Sequence, residues 1–429
     1  MIDLKNIHFS LRIWILVFAL GSCCFLKASD KTKPLKIVLN GPWKFKTGDQ
    51  KAWAHPDFDD SSWETVDFTA PPGAHDGDVG LSGYVGGWSV KGYPKYSGYA
   101  WYRIRVSLKG FEDNDLALTG PPAVDDAYQL FVNGVLLGNA GDFSRPVPIA
   151  YSIQPQIFML PETVKKKKEI TIAFRVWMSP GTLEQLSDAG GIHIAPEIGD
   201  KRIVELKYKQ QWGQTIKGYV VEVIEPVLFI LLGILIFFWK PVKYYKWFII
   251  GLLLLAFVRA NQAFFYWFQI ETAHGIDVVT TVILMPLALG AWIVAWRDWF
   301  NLRQLTWIFI TAIVLTVMYM GCQFFGLSWI SGPLSHHLFQ QLSQYVRLLF
   351  VVLMVYIIFK GMKHQEKIKY LPAVLLISAG LFSQELSALH IQGIWFPFGV
   401  GVSRTQYVYA FFVIAMIIVM MYERKKVKP

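Results

Sequence analysis

The chain has 429 residues, of which 54% are apolar, 16% aromatic and only 17% charged, with a mean hydropathy of +0.37. A typical soluble domain carries about 25% charged residues, so this composition excludes a disordered chain and argues against an ordinary soluble enzyme. The net charge of +10 is no nucleic-acid footprint: residues 30–213 hold 21 Lys/Arg against 22 Asp/Glu, and the excess sits in residues 214–429, with 17 against 8. That half is the apolar one, where membrane lipid and not nucleic acid is the expected neighbour.

Residues 1–28 have the form of an export signal, with Lys5 and Arg12 ahead of an apolar run from Ile13 to Leu26. Leu20-Gly21-Ser22-Cys23 resembles a lipobox, which would place a lipid on Cys23, while ordinary cleavage after Ala28 would discard that cysteine. An uncleaved extra helix is the third route, and it leaves everything downstream unchanged. Beyond this region only Cys322 remains, so the exported part is no disulfide scaffold.

Residues 31–213 read as strands and turns with no useful helical period. Tyr128–Leu137 is β-prone and broken at Asn133-Gly134, the preferred pair for a type I′ hairpin turn. Ala100–Leu108, Leu116–Leu118 and Ile170–Trp177 are further strands, separated by clusters such as Pro71-Pro72-Gly73. The pattern predicts an antiparallel β-sandwich. Asp57, Asp59 and Asp60 lack the glycine and distal glutamate of a calcium loop and fit turns better. Trp43, Trp53 and Trp63 read as core packing.

Composition changes abruptly at Tyr219. Seven apolar segments follow, near 219–238, 247–266, 277–296, 304–322, 344–360, 370–389 and 403–422, close to the roughly 20 residues a membrane-spanning helix needs. The loops near 239–246, 297–303 and 360–369, with the basic tail 423–429, carry thirteen Lys/Arg, and the alternate loops near 268–276, 323–343 and 390–402 carry none. The positive-inside rule then puts the β domain outside and the C-terminus in the cytoplasm. The expected fold is a multi-domain membrane protein: an all-β sandwich at 31–213 followed by a seven-helix transmembrane bundle at 219–422.

Several motifs carry a family resemblance. Trp43-Lys44-Phe45, Gly48-Asp49, the run Trp53–Trp63 (WAHPDFDDSSW), Trp101-Tyr102-Arg103 and Val124–Tyr128 leading into Val132-Asn133-Gly134 resemble galactose-binding-like jelly-roll domains, such as the sugar-binding domain of β-galactosidase-type glycosidases. Such a domain followed directly by seven helices is similar to bacterial seven-transmembrane receptors with diverse intracellular signalling modules, over residues 38 to about 422. The resemblance implies a bacterial inner-membrane sensor whose periplasmic jelly roll binds a small molecule or saccharide and whose helices pass the state to a kinase, cyclase or phosphatase. The cytoplasmic loops and tail total roughly 32 residues, so that output is expected from a separate cytoplasmic chain. A membrane-tethered carbohydrate-binding module, without signalling, is the alternative. Glycosidase catalysis belongs to a barrel domain not read here.

Candidate ligand residues lie in the strand-poor, glycine-rich segment 71–98, which carries His75, Asp76, Asp78, Trp88, Tyr93 and Tyr96. Loops of that length are functional or disordered more often than not, although packing over one end of the sandwich accounts for the same residues. No GxSxG nucleophile, HExxH helix or ligand-spaced His cluster is present, so neither a catalytic site nor a metal or other cofactor is expected. Within the apolar segments, Glu225, Arg259, Arg347 and Glu385 fall in the outer half of the bundle. Charges there are costly unless paired, so these four are expected to form an interhelical network that couples the sensor to helix packing, with Glu222 and Arg404 nearer the segment ends.

Overall fold

The computed structural model describes residues 36–77, 79–111, 115–165, 167–185, 187–239, 242–363, 365–388, 394–395 and 402–427. The expected export signal with Cys23, and Asp78, lie outside the described residues.

Among the described residues twelve strands precede the long helices, and ten of them form two antiparallel sheets. One sheet has the order β3 (Glu64–Val66), β2 (Trp43–Thr47), β4 (Gly98–Ser107), β10 (Glu169–Met178), β7 (Ala127–Val132), β8 (Val135–Ala140). The other runs β1 (Lys36–Val38), β12 (Glu197–Asp200), β5 (Leu116–Thr119), β9 (Ile157–Met159). The remaining pair, β6 (Val124–Asp125) and β11 (Gly191–Ile192), forms a small ribbon. β10 explains the layering. Ile170, Ile172, Phe174, Val176 and Met178 point into the core between the sheets, with Trp43, Tyr102, Leu118 and Ile198. The alternate residue Ala173 faces a second cluster with Trp53, Trp63 and Trp101, as a period of two requires. The Asn133-Gly134 turn joins β7 to β8 with φ of 49° and 83°, the positive values of a type I′ hairpin.

The segment 51–63 lies over that second cluster and is tied down by Arg103 of β4. This fully buried guanidinium donates to Asp60 Oδ2 (2.9 Å), to the Trp53 carbonyl and to the His55 carbonyl (3.1 Å). Asp59 accepts from the Ser61 amide at 3.0 Å. Among these acidic residues, Asp60 therefore balances an arginine and Asp59 shapes a turn.

The β fold ends at Asp200, not at residue 213. Helix α1 (Lys201–Trp239) starts directly after β12 and is 39 residues long, about 58 Å at 1.5 Å per residue. Its first part (KRIVELKYKQQW) is too polar to register as a membrane segment and buries only Val204 and Gln211 among its side chains. That is why apolar content alone places the boundary too late. The sheets and helices form one compact unit.

The bundle continues with α2 (Val242–Trp267), α3 (Ala273–Trp299), α4 (Thr306–Phe325), α5 (Pro333–Met362), α6 (Leu371–Leu381) and α7 (Arg404–Val427). Six of these, all but α6, are long and apolar enough to cross a membrane. The segment expected at 370–389 instead gives the 11-residue α6, a break at Phe382 and a six-residue helix, Ser383–Ala388. The expected outer loop 323–343 is largely helical, because α5 begins at Pro333. Within α3, residues Asp277–Leu284 are π-helical. Pro286 has no amide to give to the carbonyl four residues back, which favours a local widening of the ladder just before it. The bundle core is aromatic, with Trp292, Trp296 and Trp299 packed around Phe248.

Candidate ligand site

The segment 71–98 packs against the sandwich. Trp88 is only 2% exposed, lies 6.3 Å from Phe45 centroid to centroid, and donates its indole N–H to the Tyr96 carbonyl (3.0 Å). Tyr93 sets its ring edge-on to Phe45 and donates to Glu64 Oε1 (2.5 Å). The Tyr96 hydroxyl donates to the Tyr99 carbonyl and accepts from the Gly48 amide. The space between Trp88, Tyr93 and Phe45 is about 10 Å³, barely one water. Asp76 accepts from the amides of Val79 (2.8 Å) and Leu81, and His75 Nδ1 lies 2.9 Å from the Asp76 carbonyl. The structure thus gathers the three aromatics into one packed cluster and turns the carboxylate of Asp76 into its own loop. Among the described residues, none of the segment 71–98 lines the large cavity of the molecule.

That cavity lies elsewhere. About 850 Å³ of space separates the sandwich from the near ends of the helices. Three backbone and amide contacts hold the two parts together beside it: Ala273 N to the Ala150 carbonyl (2.9 Å), Gln154 Nε2 to the Tyr266 carbonyl (3.1 Å) and Gln269 Nε2 to the Ser152 carbonyl (3.3 Å). The β side contributes Asp126, Trp177, Ser179 and Thr182; the helices contribute Gln262 and Tyr266 of α2, Asp277 and Thr280 of α3, and Gln323 of α4. Helix α5 supplies His336, Gln340, Ser343, Gln344 and Arg347, which follow the three-and-four spacing of a single helical face. Trp329 and His274 stack at 3.8 Å on one wall.

Asp126 follows the cis Asp125-Asp126 peptide. Its carboxylate accepts from the Ser179 amide (2.8 Å) and the Thr182 hydroxyl (2.7 Å). Burial pushes this carboxyl up to about 6; the Ser179 bond opposes the shift and the neighbouring Asp125 charge adds to it. Asp277 of α3 lines the same cavity within electrostatic reach of Asp126, so each side of the junction contributes an acid. Asp125 itself accepts from His193 Nε2 (3.0 Å) and the Gly190 amide (2.8 Å). Burial works against the charged form of His193, but the Asp125 partner outweighs it and the ring is held above the ordinary histidine range. Tyr84 stacks flat on that ring and donates to Asp188 Oδ2 (3.0 Å).

The four charges expected to form one network, Glu225, Arg259, Arg347 and Glu385, form two ion pairs. Arg259 of α2 takes Glu225 of α1 and, through Nη2, Glu222 Oε1 at 2.6 Å; Gln406 of α7 donates to the same oxygen at 2.8 Å. Arg347 of α5 donates to both oxygens of Glu385 (2.6 and 2.8 Å), to the Tyr319 hydroxyl (3.2 Å) and to the Leu381 carbonyl (3.1 Å) at the break after α6. No bond joins one pair to the other among the described residues. The buried Tyr409 of α7 lies within electrostatic reach of Arg259 and Arg347 alike. Arg347 is the member that also borders the cavity.

Segment-by-segment reading passes over Asp126, Gln262, Asp277, Gln340 and Gln344. The signal for α5 is present in the sequence: polar residues from 336 to 347 at helical spacing, running from the expected loop 323–343 into the apolar segment 344–360. Among the described residues no group of three or more His, Cys, Asp or Glu could hold a metal ion.

No family model matches the chain, and no curated protein matches it. Solved structures do. A β-glucuronidase of Bacteroides uniformis is similar at 21% identity over 39% of this chain and 18% of that chain, with a TM-score of 0.27. A glycosyl hydrolase family 2 member from Bacteroides cellulosilyticus is similar at 18% identity over 38% and 20%, with a TM-score of 0.28. A β-glucuronidase from an uncultured Clostridium species gives 15% identity over 41% and 31%, with a TM-score of 0.26. The chain covers less than a third of each of these enzymes, and a likeness of this extent says nothing about activity here.

Proposed function

We propose that this chain is a membrane sensor without catalytic activity, which binds a polar, hydroxyl-rich small molecule such as a saccharide between its β-sandwich and its helices. The helices, seven with α6 counted as a short span, relay occupancy to a separate cytoplasmic partner. The observation that carries this reading is the double position of Arg347, in the wall of the 850 Å³ cavity and in the ion pair with Glu385. A molecule seated there meets the β domain on one side and a helix-to-helix contact on the other. Ligand seats of this kind occur between domains, with a few convergent polar groups among aromatic ones. The lining suits sugars: side-chain amides at Gln262, Gln323, Gln340, Gln344 and Gln384 both donate and accept toward hydroxyls, and Trp177, Tyr266 and Trp329 add aromatic surface.

The test is a thermal-shift screen of the full chain in detergent against a panel of neutral and acidic mono- and disaccharides. A binder is expected to raise the melting temperature by mass action. Gln340→Ala and Gln344→Ala should remove that rise while leaving the unliganded melting temperature in place. No shift with any sugar, or a shift untouched by both substitutions, overturns the reading.

A further inference from the structure

At the end of the bundle away from the β domain, two cavities meet. One, of about 230 Å³, is an apolar groove between α2, α3 and α4, floored by Gly290, Ala291, Ala312 and Thr316. The floor is deep because the helices approach closely: a Cβ added at Gly290 would stand 2.2 Å from Thr316 Oγ1. The other, of about 500 Å³, holds Lys246, Arg297 and Arg303 against the single carboxylate of Asp298. Trp247 and Phe309 line both and pack edge to face, with ring centroids 5.9 Å apart. The Lys246 ammonium lies over Trp247 and the Arg297 guanidinium over Phe309, each at 5.9 Å. Among the described lining residues three cations meet one acid, to which Arg297 (3.2 Å) and Arg303 (3.1 Å) both bond, at the mouth of a hydrocarbon-lined groove whose rim residues, Ile313 and Val317, are 49% and 62% exposed.

We propose that this composite groove binds one anionic phospholipid, with its phosphate in the basic mouth and an acyl chain along α3 and α4. Charge complementarity selects the headgroup, since a basic recess between helices at the membrane surface favours acidic lipids. The apolar floor selects a chain-bearing ligand over a free ion, because burying methylenes there is favourable only for a molecule that has them. Trp247 and Phe309 sit at the transition between the two, the depth at which aromatic side chains collect in membrane proteins. The cations differ in role. Arg297 is buried and donates to the carbonyls of Leu305 (3.1 Å) and Arg303, so it holds the α3–α4 turn in shape. Lys246 is exposed, and Arg303, its side chain 40% exposed and bonded to Asp298 Oδ2 at 3.1 Å, stands in the same recess; these two are the more accessible cations for a phosphate. The site is independent of the ligand cavity near the β domain.

The experiment is native mass spectrometry of the full chain in a nonionic detergent, titrated with phosphatidylglycerol, with phosphatidylcholine and with inorganic phosphate as competitor. Phosphatidylglycerol should bind roughly tenfold more tightly than phosphatidylcholine, and Lys246→Gln and Arg303→Gln should each weaken it about fivefold. Val317→Trp, which fills the groove from its exposed rim, should weaken phosphatidylglycerol without creating a folding defect. Equal binding of the two lipids overturns the proposal. So does full competition by millimolar phosphate with no effect of Val317→Trp, which would leave an anion site alone.

Discussion

The guanidinium of Arg347 and the carboxylate of Glu385 are joined by two parallel hydrogen bonds, 2.6 and 2.8 Å long, across the gap between α5 and the short helix that follows α6. The same guanidinium donates to the Leu381 carbonyl at 3.1 Å. One cation thereby satisfies an acid and a helix end inside the apolar half of the chain, where either alone would be costly. Arg259 does the equivalent between α1 and α2, with Glu222 and Glu225 as its acids.

The two ion pairs predict the outcome of double-mutant cycles read as thermal stability in detergent. Arg259 with Glu225, and Arg347 with Glu385, should each show coupling well above about 0.5 kcal/mol, the ordinary scatter of independent sites. The crossed pairings, Arg259 with Glu385 and Arg347 with Glu225, should be close to additive unless Tyr409 links them. Removing Arg259 alone should cost on the order of 3–5 kcal/mol, because two buried carboxylates lose their counter-charge. Strict additivity within both pairs would show that they do not interact.

Trp88→Ala should destabilise the whole chain by about 3–5 kcal/mol, the usual penalty for truncating a buried aromatic. Its indole is 2% exposed and packs where Gly190 leaves no room for a side chain, with a Cβ there 2.4 Å from the ring. A Trp88→Ala protein that melts like the wild type would argue that the segment 71–98 presents this ring to a ligand.

Asp126 makes stability depend on pH. Its folded-state value of about 6 lies above the unfolded one, so the contribution of its neutral form is complete below the unfolded value near 4 and is lost as pH rises through 6. The ionised site is then less stable by on the order of 3 kcal/mol. Melting temperatures measured from pH 4 to pH 7 should fall across that window, and Asp126→Asn should flatten this part of the profile. An unchanged profile in the variant would remove Asp126 as the titrating group.

Reporter fusions test the orientation that the loop charges imply. Fusions after Lys246 and Arg303 should behave as cytoplasmic, and fusions at Gly275 and Gly332 as periplasmic. A single inverted position would require a different path through the membrane.

By itself the sequence determines the order of the parts, the main strands, the Asn133-Gly134 hairpin and the apolar segments, of which it counts seven where six described helices are long and apolar enough to cross a membrane. Each of these rests on a local property: a period of two, a run near twenty apolar residues, or a backbone pair that tolerates positive φ. It also marks Arg259 and Arg347 as charges in need of partners, because desolvation cost depends on residue type and depth. Tertiary structure alone decides who those partners are, since Glu222 and Glu225 lie 37 and 34 residues from Arg259 in the chain. It alone turns Trp88 inward, because a glycine-rich loop has no periodicity from which a buried face can be read. The cavity, too, exists only once the sandwich sits on the helices: Asp126 and Gln344 are 218 positions apart in the chain and line the same cavity, a proximity created by packing and not by any local pattern.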